Sequence, residues 1–144
     1  MSLAQTQSVA LLGLAGHVVG VEVDIADGLP GYALLGLPDA ALSESRDRVR
    51  SAIVNCGEVW PNRKVTVSLS PAWLPKSGSS FDLAICISLL SAHETVPAEK
   101  IADIVFLGEL SLDGRIRSVR GVLPALIAAF KAGVTTAVVP ADNV

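Results

Sequence analysis

Pro75-Lys76-Ser77-Gly78-Ser79-Ser80-Phe81-Asp82 is the stretch on which the fold turns. Small polar residues and one lysine lead straight into Leu83, Ile85, Cys86, Ile87, Leu89 and Leu90. A run that is apolar on every side predicts a central, buried helix, here from about Phe81 to Ala92. A glycine and a lysine before a helix first suggest a phosphate-binding loop. That loop requires G-x-x-x-x-G-K-[ST], with the lysine directly after the second glycine. Here Lys76 precedes Gly78, and no other window of the chain fits. The segment is not a nucleotide-binding loop of that kind.

Working outward from it, Val65, Val67 and Leu69 alternate with Thr66, Ser68 and Ser70, the pattern of a half-buried strand. Before that, Asp39 is placed to cap a helix by accepting its first free N–H groups. Leu42, Val49, Ala52, Ile53 and Cys56 then share one helical stripe, and Gly57 ends it. Glu44, Arg46, Asp47, Arg48 and Arg50 occupy the opposite face. The first third predicts three strands: an apolar run from Ser8 to Leu14, an alternating one from His17 to Ile25, and Tyr32 to Leu37. Asp27-Gly28 and Pro30-Gly31 supply turns. Met1-Ser2-Leu3 contributes nothing to this reading.

Downstream, Ile104–Leu112 and Arg115–Val119 flank Asp113-Gly114, a two-residue hairpin signal. Gly121 to Lys131 predicts a third helix, and Thr135 to Val139 a last strand stopped by Pro140. The order predicts an α/β fold, a mixed sheet with about three helices packed against it, and no internal repeat.

The bulk numbers agree with a single packed domain. The chain has 144 residues, of which 51% are hydrophobic and 17% charged, so disorder is excluded. Its net charge of −3, from 11 basic and 14 acidic residues, argues against a domain that lives on phosphate contacts alone. Cys56 and Cys86 lie in apolar runs and read as two buried thiols of a reducing cytosol, with a disulfide as the other reading. With His17 and His93 isolated, no zinc site assembles and no metal is expected in this domain. No secretion signal and no membrane span is indicated, so the expected location is cytoplasmic.

Part of the chain resembles Lon-type proteases, whose P-K-D-G-P-S-A-G loop carries the nucleophilic serine. Pro75, Lys76, Gly78 and Ser80 match it, and positions 77, 79, 81 and 82 differ. Gly108-Glu109-Leu110-Ser111-Leu112-Asp113-Gly114-Arg115 resembles the Lon G-E-[IL]-[ST]-L-x-G segment. Arg120-Gly121-Val122-Leu123 follows where Lon has G-G-L-K. The resemblance implies the ribosomal-protein-S5-domain-2-like fold. Its chemistry does not carry over with it. A serine needs an adjacent base, and the position of the Lon lysine holds Leu123. Lys131 lies eight residues on, about 12 Å along the helix, out of hydrogen-bonding reach. The site thus reads as degenerate at Ser80 and Leu123, with no catalytic residue. Lys76, four residues before Ser80, is the one base left to a peptidase reading.

A closer resemblance covers nearly the whole chain. Ala10-Leu11-Leu12-Gly13, Val21-Glu22-Val23-Asp24-Ile25, Gly28-Leu29-Pro30, Gly36-Leu37-Pro38-Asp39-Ala40-Ala41 and Glu44-Ser45-Arg46 are similar to the start of the YifB/ComM family of Mg-chelatase-like AAA+ ATPases. So are Arg48-Val49-Arg50-Ser51-Ala52-Ile53, Phe81-Asp82-Leu83, Phe106-Leu107-Gly108-Glu109-Leu110 and Val119-Arg120-Gly121-Val122-Leu123-Pro124. Ser80 departs from the glycine usual there, which flatters the Lon match. The resemblance implies residues 1–144 to be one Lon-protease-like N-terminal domain of a longer protein. An ATPase core would follow Val144 and use ATP and magnesium that this domain does not hold. It also implies a ring of subunits and a role in DNA processing, in ComM branch migration.

Arg46, Arg48 and Arg50 with Arg63 and Lys64 form one basic cluster, and Arg115, Arg117 and Arg120 a second. With Lys76, these are the candidate contacts to DNA or to a neighbouring subunit. The bland reading is a solvated face paired to Glu44 and Asp47. Trp60 and Trp73 read as packing against the sheet. The function expected is a non-catalytic module that helps ring assembly or guides a strand. The alternatives are a stand-alone nucleic-acid or protein-binding domain, a Ser80-dependent peptidase, and a domain that only folds and tethers.

Overall fold

The computed structural model describes residues 2–13 and 15–144. Met1 and Leu14 lie outside the described residues, and with Leu14 the last position of the predicted first strand. Strands β1 (Ser2–Leu12), β2 (Ala15–Ala26), β3 (Gly31–Leu35), β4 (Lys64–Ser70), β5 (Ile104–Phe106) and β8 (Thr136–Val138) form one sheet in the order β3-β4-β2-β1-β5-β8. β1 pairs with β2, and β2 with β4, antiparallel. β3 joins β4, β5 joins β1 and β8 joins β5 in parallel. A small second sheet pairs β6 (Glu109–Leu110) with β7 (Ile116–Arg117). The helices are α1 (Ala40–Ser43), α2 (Ser45–Asn55), α3 (Asp82–Ala92) and α4 (Val122–Lys131), with short 3-10 turns at Ala98–Lys100 and Ala141–Asn143. The expected mixed α/β sheet with helices against it is what forms.

Alternation along β2 divides the sheet into two faces. Val19, Val21, Val23 and Ile25 point to one face, where α3 and α2 cover them together with Val65, Val67 and Leu69. Buried polar groups on that face are answered from α3. Thr6 Oγ1 donates to Ala84 O (2.9 Å) and shares a 2.7 Å bond with Ser88 Oγ. The other face packs Val9, Val105 and Leu107 on Ala125 and Ala129 of α4.

Four expectations need correction. β1 starts at Ser2, pairing with Ile25, and not at Ser8. Its polar Ser2–Gln7 half hides a strand whose Ala4 and Thr6 are buried. The helix expected from Asp39 to Gly57 divides at Glu44, where the Ala41 carbonyl accepts from Arg48 Nη2 (2.9 Å). Asp113-Gly114 is not a two-residue hairpin, because Leu110 pairs with Ile116 and leaves five residues, 111–115, between them. The strand expected from Ile104 to Leu112 is broken at Leu107-Gly108, so that β5 joins the main sheet and β6 leaves it. A Cβ on Gly108 would sit 2.7 Å from Ile116 Cγ2, so the break brings the small sheet close.

Candidate functional site

Three motifs far apart in sequence meet at one corner, above the start of α3. The chain Gly36-Leu37-Pro38-Asp39 runs beside Lys76: Lys76 N–H donates to Leu37 O and Asp39 N–H to Lys76 O, both at 3.0 Å. Gly36 allows this approach, since its φ is 114° and a Cβ there would lie 2.2 Å from Leu69 O. Leu37 itself has φ 58°, an uncommon conformation for a residue with a side chain. The Asp39 carboxylate accepts from Leu42 N–H (2.8 Å), the expected helix cap, and from Gly78 N–H (3.2 Å). From the other side, Gly108 N–H donates to Ser80 O and Leu83 N–H to Gly108 O, each at 3.1 Å. Ser79 Oγ donates to Glu109 Oε1. The loop 77–80 is thus fixed by the Gly-Leu-Pro-Asp segment on one flank and by Gly108-Glu109-Leu110 on the other.

Beneath the loop lies a buried ion pair. Asp82 has no exposed side-chain surface and accepts from Arg48 Nε (2.6 Å), Arg48 Nη2 (3.0 Å) and Leu110 N–H (3.1 Å). One carboxylate therefore ties α2, α3 and β6 together, and Arg48 adds α1 through Ala41 O. Burial pushes the Asp82 carboxyl up, while the guanidinium and the Leu110 N–H pull against it. The bond to Asp82 raises Arg48 above its ordinary value. Neither partner's role was read from sequence. The available signal was a lone charge, Asp82, at the head of a helix with no other charged residue, since a charge that enters a core needs a partner.

Beside the loop opens a cleft of about 390 Å³ containing Ser77, Ser79, Ser80 and Ser118, with Val9, Leu107 and Ala125 as apolar lining. Its ionisable residues among those described are Glu109 and Arg120. Ser80 is half-buried. Lys76, the base left to a peptidase, is 1% exposed. Its Nζ donates to Leu69 O (3.1 Å) and to Pro71 O, and burial lowers its pKa. It is a structural cation, directed at carbonyls and not at Ser80, and burial also takes it out of reach of DNA or a second subunit. Leu123, at the Lon lysine position, is exposed in a separate hollow with Ala15, Gly16 and Lys131. Nor does Lys76 offer an open cation to a phosphate beside the glycine loop, because it is buried and donates to two carbonyls.

The basic residues divide unevenly. Arg46 and Arg50 are exposed on α2, but Arg48 between them is committed to Asp82. Arg63 pairs with Asp27 (2.7 Å), pulling the Asp27 carboxyl below its usual range, and Lys64 is exposed at the start of β4. Arg115, Arg117 and Arg120 stay exposed, with Arg115 Nε 3.5 Å from Asp113 Oδ2. Arg120 lines the Ser80 cleft, and Arg115 and Arg117 line the adjoining hollow, with Glu109 and Ser118 shared by both. Trp60 packs as expected, 6.1 Å from Tyr32. Trp73 is 72% exposed, contrary to expectation, since its segment leaves the sheet after Ser70. Cys56 is likewise exposed at the end of α2, and both thiols are free. Among the described residues no cluster of three or more metal-ligating side chains forms, and no helix is long and apolar enough to cross a membrane.

With this geometry in view, comparison with known proteins is informative. The family described as subunit ChlI of Mg-chelatase matches residues 21–143. An uncharacterized protein of Mycobacterium tuberculosis is 56% identical over 143 residues, covering 99% of this chain and 28% of that protein. Competence protein ComM of Haemophilus influenzae is 44% identical over 131 residues, covering 91% of this chain and 26% of ComM. Lon protease of Mycolicibacterium smegmatis is 28% identical over 141 residues, covering 93% of this chain and 18% of the protease. The chain therefore spans little more than a quarter of the first two relatives. The Lon similarity and the mixed sheet agree with the ribosomal-protein-S5-domain-2-like fold expected from the motifs.

Proposed function

Because the chain belongs to the family of subunit ChlI of Mg-chelatase, among the Mg-chelatase-like AAA+ proteins, we propose that it serves as a non-catalytic module of a DNA-processing ATPase. In this reading ATP and magnesium are used elsewhere in the protein, in the cytoplasm. This domain contributes ring assembly or guides a DNA strand. The 44% identity to competence protein ComM over 91% of the chain carries the proposal. The chemistry supports it. A serine hydroxyl is a weak nucleophile without a base to take its proton. Beside Ser80, Lys76 is occupied by carbonyls and Glu109 by Ser79.

The strand-guiding surface we favour is the cleft edge with Arg115, Arg117 and Arg120. Repeated around a ring, three cations per copy gain through multivalency what one copy lacks. The test is ATP-driven branch migration on a four-way DNA junction by the mycobacterial relative with its matching stretch replaced by this chain. Arg115→Glu, Arg117→Glu and Arg120→Glu together should cut activity at least tenfold and flatten its salt dependence. Unchanged remodelling by the triple variant would remove the DNA-guiding role. Labelling of Ser80 by a fluorophosphonate would reinstate the peptidase.

A further inference from the structure

The helix α4 is apolar on its outward side as well as toward the sheet. Its small residues Ala125 and Ala129 face the sheet, each 3% exposed, while Leu123, Ile127 and Phe130 point outward at 69%, 47% and 74% exposed. The spacing 123, 127, 130 is one helical stripe. A surface helix normally buries its large apolar residues and shows solvent its polar ones. Here the outward side is apolar instead: the one charged residue of α4 is Lys131, and of its large side chains Leu126 packs on the core while Leu123, Ile127 and Phe130 do not. The stripe is continuous with β8, since Phe130, Val134, Thr136 and Ala137 share a hollow of about 200 Å³. β8 is the last strand of the sheet and leaves Thr136, Ala137 and Val138 exposed, with no charge to guard the free edge. An apolar helix face and an unguarded strand edge thus adjoin on one side of the domain.

We infer that the α4–β8 face is the docking surface for the remainder of the polypeptide in proteins that carry this domain; this rests on the reading above that the domain works within a longer chain. Two magnitudes select that occupant. Contiguous exposed apolar surface of about a few hundred Å² is the size that marks an interaction site. A free partner needs about 800 Å² on each side for a stable complex. A covalently joined partner is present at an effective concentration of about millimolar, so a smaller patch holds it. The relatives supply such a partner, for this chain matches only 28% of the mycobacterial protein. Leu123, Ile127, Phe130 and the β8 residues do not line the Ser80 cleft.

The experiment is hydrogen exchange, read by mass spectrometry, on the 144-residue chain alone and on the same chain grafted into the mycobacterial relative. Amides of 122–138 should exchange at least tenfold more slowly in the graft, with those of 77–80 unchanged. Leu123→Asp with Phe130→Asp should abolish the difference. Equal rates in the two contexts overturn the proposal. So does a dimer of the free chain by light scattering with α4 already protected, which would make the occupant a second copy. If the graft does not fold, the native relative is measured against its own matching segment: slower exchange in the intact protein supports docking, and equal rates overturn it. Branch migration is scored separately: an inactive graft with α4 protected sinks the DNA reading alone, and an active graft with α4 unprotected sinks the docking alone.

Discussion

The corner around Asp82 and the face of α4 invert the usual rule in opposite senses. At the corner, charged residues lie inside: Asp82 fully buried, Arg48 mostly so, and Lys76 1% exposed. On α4, large apolar residues lie outside. These three charges each have hydrogen-bond partners within the domain. The large apolar groups of α4 stay mostly open, with Leu123 69% and Phe130 74% exposed. The difference teaches where the domain is finished and where it is not. The charges of the corner are satisfied by groups inside the domain, whereas α4 carries surface that internal packing does not use.

If that contrast is right, the largest effect should come from the ion pair. Asp82→Ala leaves Arg48 partly buried with no carboxylate and frees Leu110 N–H, and should lower unfolding free energy by about 3–5 kcal/mol. Chemical denaturation gives the value, and a loss below about 1 kcal/mol would mean water reaches the corner freely. Replacing both partners, Arg48→Met with Asp82→Leu, should recover most of the loss, since it removes both charges from the interior. Lys76→Met comes next. It keeps the apolar stem but leaves Leu69 O and Pro71 O without their donor, at a cost of about 1–3 kcal/mol.

These residues also mark the limit of what the sequence reveals. The alternation of Val19 to Ile25 and of Val65 to Leu69, the cap at Asp39 and the all-apolar α3 were legible, because each depends on periodicity or on neighbours a few residues away. The resemblance of the Ser80 loop to the Lon loop was legible as a motif. What was not legible depends on contacts across the fold. Arg48 looked like part of a solvated basic face until Asp82, thirty-four residues on, claimed it. Lys76 looked exposed because nothing local shows that Leu69 and Pro71 aim carbonyls at it. Asp113-Gly114 carried a true turn signal, but Ser111 and Arg115 close a wider loop around it. The outward stripe of α4 was invisible, because Leu123, Ile127 and Phe130 have the spacing of an ordinary buried face.

A substitution pair on α4 tests which side is inside. Ala125→Leu pushes three extra carbons against Val9 and Leu107 and should cost the isolated chain about 1–3 kcal/mol. Phe130→Glu should change it by less than about 0.5 kcal/mol, as an exposed site does. The reverse order would show that α4 packs by its large residues, and would remove the contrast with the corner. Thermal and denaturant midpoints of the two variants decide it.

The smallest effect belongs to a polar network that is bonded but exposed. Asp113 accepts from Ser111 Oγ and from Arg115 N–H (3.0 Å), and these bonds hold its carboxyl below 3.8. A carboxyl depressed on folding contributes stability above its unfolded pKa and loses it as pH falls through the folded one. Any contribution at this loop is therefore complete above about pH 4 and fades only in stronger acid. Titration of the Asp113 carboxyl by NMR should show a midpoint below 3.8, and Ser111→Ala should move it back toward that value. Ser111→Ala should leave the denaturation midpoint at neutral pH almost unmoved, because water can replace the lost donor at an exposed carboxylate. A large loss of stability from so exposed a bond would show that hydrogen bonding alone, and not burial of the bonded charges, makes the Asp82 corner strong.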